Sequence, residues 1–151
     1  MNNAPGVGRQ ELGAVKSPND FAWLIEQFVT TVPGISHAIF VSLDGLQLVG
    51  SRGVGRDTGD RLAALTAGLL ATADQAGMVL GMGVSEYLTV RLPSGHLLFM
   101  RVGDSAGLAV ATLASCDLRV VAYHMTQFVA SVGHLLTPPM RVELQRMTAS
   151  G

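Results

Sequence analysis

The stretch RDTGDRLAALTAGLLATADQAG (residues 56–77) decides the fold, because it predicts a helix with apolar or small side chains on all sides. Its middle, residues 62–73, contains no charged residue. A helix on a domain surface normally shows a polar face to water, so a helix without one is expected to be covered on two sides. The domain's own sheet can cover one side. A second copy or a partner protein can cover the other.

Short apolar segments on both sides of this helix predict strands. They lie at residues 35–43, 46–52, 84–92, 96–102 and 108–113. Asp44-Gly45, between the first two, is typical of a two-residue hairpin turn. Further helices are predicted from about Ser17–Asp20 and from Asp117, each with apolar residues at three- and four-residue steps. We therefore predict a flexible N-terminal tail at residues 1–18, one domain at 19–137 and a C-terminal tail at 138–151.

The strand sequences predict how the sheet is arranged. Residues 39–41 and 108–113 are apolar in succession, which indicates strands covered on both faces. Residues 84–92 alternate between apolar and polar, which suits a half-exposed edge. Hairpin connections make the sheet antiparallel. The fold class is therefore α+β, a single three-layer α/β/α sandwich with a five-stranded antiparallel sheet and the order α-β-β-α-β-β-β-α.

Composition excludes several functional classes. Apolar residues make up 48% of the chain and charged residues 14%, against about 25% charged in an average soluble domain. The formal net charge is −1, and no cluster of basic residues suggests nucleic acid or anionic lipid as a partner. Residues 120–140 lack charge, but two histidines and Pro138-Pro139 argue against membrane insertion. The single cysteine, Cys116, and the absence of a signal-peptide pattern indicate a cytoplasmic protein.

No motif for catalysis or metal binding stands out. Residues 103–107, GDSAG, resemble the serine motif of trypsin-like proteases, but a hairpin turn explains them better. Residues 53–59 have glycines at GxGxxxG rather than nucleotide-binding spacing, which favours a strand-to-helix connection. The histidines and Cys116 show no ligand spacing. We expect no catalytic residues, no metal and no cofactor, and the chain is not predicted to be an enzyme.

The middle helix has two unlike sides. The bulkier side, expected to face the sheet, carries Leu62, Leu65, Leu69, Ala73 and Ala76. The opposite side is small in its middle and polar at its ends, with Asp57, Asp60, Ala64, Ala67, Gly68, Ala71, Asp74 and Gln75. Such a side could simply face solvent. Close packing against a second helix is the favoured interpretation, because small residues let two helices approach closely.

Three segments together resemble the Roadblock/LC7 family, especially bacterial and actinobacterial members that are encoded beside small Ras-like GTPases. They are residues 20–54, 56–77 and 117–144. The most specific part is VPGI-x-HA at residues 32–38, followed by an apolar strand and S-x-DG at 42–45. The resemblance covers about residues 18–145, the whole predicted globular part.

The resemblance implies the same fold and a homodimer in which the middle helices pack together and the third strands pair across the dyad. The helix residues expected at the dimer interface are Ala64, Ala67, Gly68, Ala71 and Gln75, and the strand residues are Ser85, Tyr87, Thr89 and Arg91. The GTPase is expected to dock near the paired helices, where Asp57, Asp60 and Arg61 are the predicted partner-binding residues. Family members have no catalytic residues of their own, and the nucleotide and Mg²⁺ belong to the GTPase.

These observations predict a non-enzymatic homodimeric regulator or scaffold of a small Ras-like GTPase in bacterial signalling. Its partners are a second copy, the GTPase, and other proteins of a membrane-proximal signalling complex. The alternative is a small-molecule-sensing module of PAS or profilin-like architecture. An enzyme is the third and least favoured hypothesis.

Overall fold

The computed structural model describes residues 17–150, which form four helices and five strands. In chain order they are α1 (Pro18–Thr31), β1 (Ile35–Ser42), β2 (Gln47–Gly50), α2 (Arg56–Val79), β3 (Tyr87–Leu92), β4 (Gly95–Val102), β5 (Ala106–Leu113), α3 (Leu118–Val132) and α4 (Pro138–Ser150), with a short 3-10 turn at Gly133–Leu135. The strands form one antiparallel sheet in the order β2-β1-β5-β4-β3. The predicted interior strands, β1 and β5, and the predicted edge, β3, are confirmed.

Helices cover both faces of the sheet, so the predicted three-layer sandwich is confirmed. On one face, α1, α3 and α4 enclose the larger core. Phe28 of α1 stacks on Phe128 of α3 with ring centroids 4.4 Å apart, and Phe40 of β1 lies beneath both helices. On the other face, α2 packs alone over a smaller apolar cluster.

The domain begins two residues earlier than predicted. Ser17 and Asp20 form a capping box, in which each residue's side chain accepts a hydrogen bond from the other's backbone N–H. Pro18 occupies the first turn, where its missing N–H costs nothing. Ser17 and Pro18 therefore belong to the domain, and residues 1–16 of the predicted tail lie outside the described residues.

The prediction of a C-terminal tail from residue 138 is corrected by the structure, which has helix α4 there. Thr137 caps its start with a hydroxyl that accepts from the N–H of Met140, and Pro138 fills the first position. Leu144 is completely buried, with Met140 and Met147 partly buried beside it. These three residues are spaced at four and three positions, a short helical pattern that could have revealed the element.

The two edges of the sheet differ. β2 has four residues and is irregular, because Leu48 falls between the pairs Phe40–Val49 and Val41–Gln47. The Thr148 hydroxyl on α4 donates to the carbonyl of Leu48 at 2.8 Å. Short length, a bulge and a covering helix are three devices that protect a sheet edge from further pairing. Within residues 17–150, β3 is longer, with six residues, and pairs with β4 in regular register over its whole length.

Candidate protein-interaction surface

Helix α2 contacts the sheet through a narrow row of mostly small residues. They are Gly59, Ala63, Thr66 and Leu70, all buried. Small side chains fit here because the facing sheet surface already carries Ile39, Val41 and Phe99. The Thr66 hydroxyl donates to the carbonyl of Leu62 at 2.7 Å, which allows this polar side chain to be fully buried.

The predicted orientation of α2 is therefore partly wrong. Leu65 was expected to face the sheet but is 60% exposed, and Ala76 is also exposed. Leu62, Leu69 and Ala73 are half-buried at the flank of the contact row. Side-chain size did not predict which residues of α2 face the sheet, because the sheet supplies most of the large side chains and leaves room mainly for small ones on the helix.

The start of α2 is held on the sheet by a close approach between Gly59 and Gln47 of β2. A Cβ atom at position 59 would lie 1.8 Å from Oε1 of Gln47, so a larger residue would require the Gln47 side chain to move. The Oε1 atom is buried and has no hydrogen-bond partner. This contact positions the first turns of α2 over β2.

The residues predicted to contact partners are mostly available on the outer surface of α2. Asp57, Asp60, Ala64, Arg61, Gly68, Ala71 and Gln75 are exposed, and Ala67 is half-buried. The Ala64 backbone lies close to the β1–β2 turn. A Cβ atom added to Gly45 in that turn would be 3.7 Å from the Cα atom of Ala64. The side of α2 with Ala64 and Ala67 thus leans toward its own domain.

By length and composition alone, α2 is apolar enough to cross a membrane. The same composition is expected of a helix buried on two sides, and one side is already packed on the sheet through Ala63, Thr66 and Leu70.

The outer edge of β3 presents backbone groups for pairing. The N–H of Arg101 donates to the carbonyl of Glu86, so the Glu86–Arg101 pair is hydrogen-bonded across the ladder. Backbone groups alternate in direction along an antiparallel strand. The N–H and C=O groups of Tyr87, Thr89 and Arg91 therefore point away from β4, and β4 is the only strand neighbour of β3 among residues 17–150.

Ser85, predicted at the dimer interface, has contacts within its own chain. Its backbone N–H and its hydroxyl each donate to Oδ1 of Asp74 at 2.7 Å. Arg101 forms an ion pair with the other carboxylate oxygen of Asp74. We call these three residues the Asp74 clamp. It joins the last third of α2 to β4 and to the segment that leads into β3.

The Asp74 clamp lowers the pKa of the Asp74 carboxyl. Hydrogen bonds from the backbone and then the hydroxyl of Ser85, together with the Arg101 guanidinium, hold the pKa of Asp74 below its ordinary value of 3.8. The sequence indicated Asp74 only as a polar residue of the outer helix side. Its partners lie 11 and 27 residues further along the chain, outside α2, so no spacing pattern could have revealed the clamp.

The structure has little that suggests chemistry. Within residues 17–150, no group of three or more His, Cys, Asp or Glu side chains is arranged to hold a metal ion. Residues 103–105 of the GDSAG segment form the turn between β4 and β5, and its last two residues begin β5. Residues 53–55 lie in the connection between β2 and α2, and residues 56–59 already belong to α2. A cavity of about 20 Å³ under α2, lined by Ile39, Leu62 and Phe99 among others, has room for a water molecule but not for a larger ligand.

Comparison with known proteins gives one family match. The model for the Roadblock/LC7 domain matches residues 21–112, which covers most of the sheet together with α1 and α2. A comparison with curated proteins gives no match.

Solved structures show the same fold. The chain is similar to a Roadblock/LC7 domain from Streptomyces avermitilis, with 33% identity, a TM-score of 0.71, and coverage of 77% of this chain and 98% of that one. Myxococcus xanthus MglB is 15% identical with a TM-score of 0.70, covering 76% and 92%. The gliding protein MglB from Thermus thermophilus is 16% identical with a TM-score of 0.70, covering 89% and 97%. The two MglB likenesses support the fold alone.

Proposed function

Because the chain belongs to the Roadblock/LC7 family, we propose that it acts as a homodimeric, non-enzymatic regulator or scaffold of a small Ras-like GTPase in the cytoplasm. The family resemblance supports the GTPase as partner. The homodimer is supported mainly by the open edge of β3. Beside this edge, the outer side of α2 carries exposed apolar residues. The GTPase brings its own nucleotide and Mg²⁺, which fits a chain without a recognisable catalytic motif.

The edge of β3 supports a specific pairing with a second copy. Only Tyr87, Thr89 and Arg91 direct their backbone groups outward. The antiparallel register that pairs all three is centred on Thr89, with Tyr87 opposite Arg91 of the other copy. A two-fold interface of this kind closes on itself and stops at a dimer. The bulge and α4 at the β2 edge oppose growth of the sheet in the other direction.

The charged first turns of α2 are the proposed docking site for the GTPase. Asp57, Asp60 and Arg61 are exposed, and charges at a rim affect association rate and partner choice more than fold stability. A partner docked there could have its GTP hydrolysis activated, have its nucleotide exchange promoted, or simply be held in place. The small-molecule-sensing alternative gains no support from the cavity under α2.

Binding to the GTPase tests the proposal directly. A Ras-like GTPase encoded nearby is titrated calorimetrically into the chain, in its GDP and GTP-analogue states. We expect the wild-type chain to bind at least one state and the Asp60→Lys/Arg61→Glu variant to lose that binding. The matched control exchanges the same charges on exposed residues elsewhere, Asp104→Lys/Arg119→Glu, and should bind normally.

Two results would count against this proposal. Normal binding by the Asp60→Lys/Arg61→Glu variant would move the docking site away from α2. Tight binding of GTP, GDP or ATP to the isolated chain would contradict a purely regulatory role and direct attention to residues 53–59.

A further inference from the structure

A row of three polar side chains crosses the sheet beside the β3–β4 turn. Arg91 of β3 lies opposite His96 of β4, and His96 lies opposite Thr112 of β5. Side chains directly opposite one another share a face of the sheet, as do side chains two residues apart on one strand. Leu98 and Val110, two residues from His96 and Thr112, belong to the larger core. The row is therefore on the face that α1 and α3 cover.

Arg91 and His96 are close neighbours because their pair lacks backbone hydrogen bonds. The N–H of Arg101 donates to the carbonyl of Glu86, and bonded and unbonded pairs alternate along an antiparallel ladder. This alternation makes the Arg91–His96 pair an unbonded one. Side chains approach more closely in such a pair, with Cβ atoms about 4.5–5.5 Å apart. The guanidinium and the imidazole can therefore contact the same small group.

The sheet holds the His96 ring in place. His96 is only 7% exposed, and its Nδ1 atom lies 3.5 Å from the hydroxyl oxygen of Thr112. The Nε2 atom, on the other side of the ring, is then the nitrogen available to a ligand. It carries a proton when the hydroxyl donates to Nδ1, and also when the ring is protonated. In both forms Nε2 is a hydrogen-bond donor that an anion can use.

The row lines a cavity of about 340 Å³ that is open to solvent. Its walls are Arg91 and His96 together with Leu92, Pro93 and Ala114, and none of these residues is acidic. Three other surface cavities each combine an arginine with an aspartate: Arg56 with Asp60, Arg119 with Asp117, and Arg141 with Asp44. The cavity beside Arg91 differs from them, because both of its polar side chains present nitrogen donors.

The positive charge of Arg91 is not compensated. Within residues 17–150 the exposed Arg91 forms no ion pair. Glu86, the acidic residue that precedes β3, is five positions away and so points to the opposite face of the sheet. In the dimer register proposed above, the residue opposite Arg91 is Tyr87 of the second copy. Pairing at the β3 edge therefore brings no acidic residue to Arg91 either.

We propose that this cavity binds a small oxyanion, a carboxylate or a phosphate, between the Arg91 guanidinium and Nε2 of His96. A guanidinium presents parallel N–H donors that match two oxygens of such a group. Leu92, Pro93 and Ala114 give the cavity an apolar rim, which suits an anion carried on a short aliphatic stem. The site uses side chains of one chain only, so it does not depend on the homodimer or the GTPase proposed above.

Nuclear magnetic resonance titration of the full chain tests the site. The 15N-labelled protein is titrated with inorganic phosphate and, separately, with acetate, at constant pH and at constant ionic strength so that general screening does not change. We expect the ring signals of His96 and the Nε–H signal of Arg91 to shift and to saturate at millimolar concentration with at least one probe. The probe that saturates at the lower concentration identifies the class of anion.

Two variants remove the proposed contacts one at a time. Arg91→Gln should raise the half-saturating concentration by at least about tenfold, because it removes a charged hydrogen-bond partner. His96→Gln should also raise it. The His96 ring reports on the first variant and the Arg91 Nε–H on the second, and circular dichroism checks that both are folded.

The matched control is Arg119→Gln, because Arg119 lies in a cavity that contains its own aspartate. It should leave the half-saturating concentration unchanged. Shifts that fail to saturate with either probe would overturn the site. Shifts that saturate equally in wild type and in folded Arg91→Gln or His96→Gln would overturn it as well.

Discussion

The carboxylate of Asp74 on α2 lies 2.7 Å from both the backbone nitrogen and the hydroxyl of Ser85, the residue that leads toward β3. One side chain thus connects the helix and the strand edge that we assign to the dimer. The Arg101 guanidinium on β4 holds the same carboxylate from the other side. A change at Asp74 is therefore expected to affect the fold and the position of β3 together.

Replacing Asp74 by asparagine should lower the melting temperature in a pH-dependent way. The pKa of the Asp74 carboxyl is lower in the folded state than in the unfolded state. The ionised carboxylate therefore stabilises the fold fully above the unfolded pKa of about 3.8, and this stabilisation is lost as the pH falls through the lower folded pKa. The difference in melting temperature between wild type and Asp74→Asn should be largest near pH 7 and should shrink below about pH 3.8.

Thermal melts from pH 7 to pH 3 make this measurement. Asp104→Asn, in the exposed turn between β4 and β5, is the control and should change the melting temperature little at any pH. A constant difference between wild type and Asp74→Asn over the whole range would show that the ionised carboxylate is not what stabilises the clamp.

The C-terminal helix α4 should contribute to the stability of the domain. Leu144 is fully buried, and truncating such a residue to alanine typically costs about 2–5 kcal/mol. Thr148→Val removes one hydrogen bond to Leu48 and should cost about 1 kcal/mol. Urea unfolding measures both. Val142→Ala, an exposed position on the same helix, is the control, and an equal loss for Leu144→Ala and Val142→Ala would mean that α4 is not docked.

Two glycines of α2 should respond oppositely to alanine. At Gly59 the added Cβ would overlap Oε1 of Gln47, so Gly59→Ala should destabilise the fold by roughly 1–3 kcal/mol. At Gly68 nothing lies within 4 Å, and alanine should stabilise the helix by up to about 1 kcal/mol. Denaturant unfolding compares them. Shortening Gln47 to alanine should rescue Gly59→Ala, and no rescue would reject the contact as the cause.

The sheet could be predicted from the sequence because each strand carries a local signal. Asp44-Gly45 marks the first hairpin, and the alternation of residues 84–92 marks the exposed edge. The rotation of α2 could not be predicted, because it depends on which side chains the sheet presents. Ile39, Val41 and Phe99 fill the space under the helix, so small residues of α2 face inward and Leu65 faces outward.

Two further features needed the three-dimensional structure. Pro138-Pro139 suggested a tail, although a proline is equally suited to the first turn of a helix, and the buried Leu144 confirms that α4 is docked. The Asp74 clamp joins α2, β4 and the segment before β3. The sequence nevertheless predicted which surface is the candidate interaction site. The uncharged middle of α2 and the alternating pattern of β3 are both features of local sequence.

The solution mass of the chain tests the central claim, a dimer built on the β3 edge. Thr89→Pro removes an outward N–H from β3 without removing a bond to β4, a substitution that edge strands tolerate. Light scattering at micromolar concentration should give twice the 15.8 kDa chain mass for wild type and for the control Thr89→Ser, and a single chain mass for folded Thr89→Pro. A wild-type chain that is monomeric under these conditions, or a Thr89→Pro variant that stays dimeric, would contradict the account.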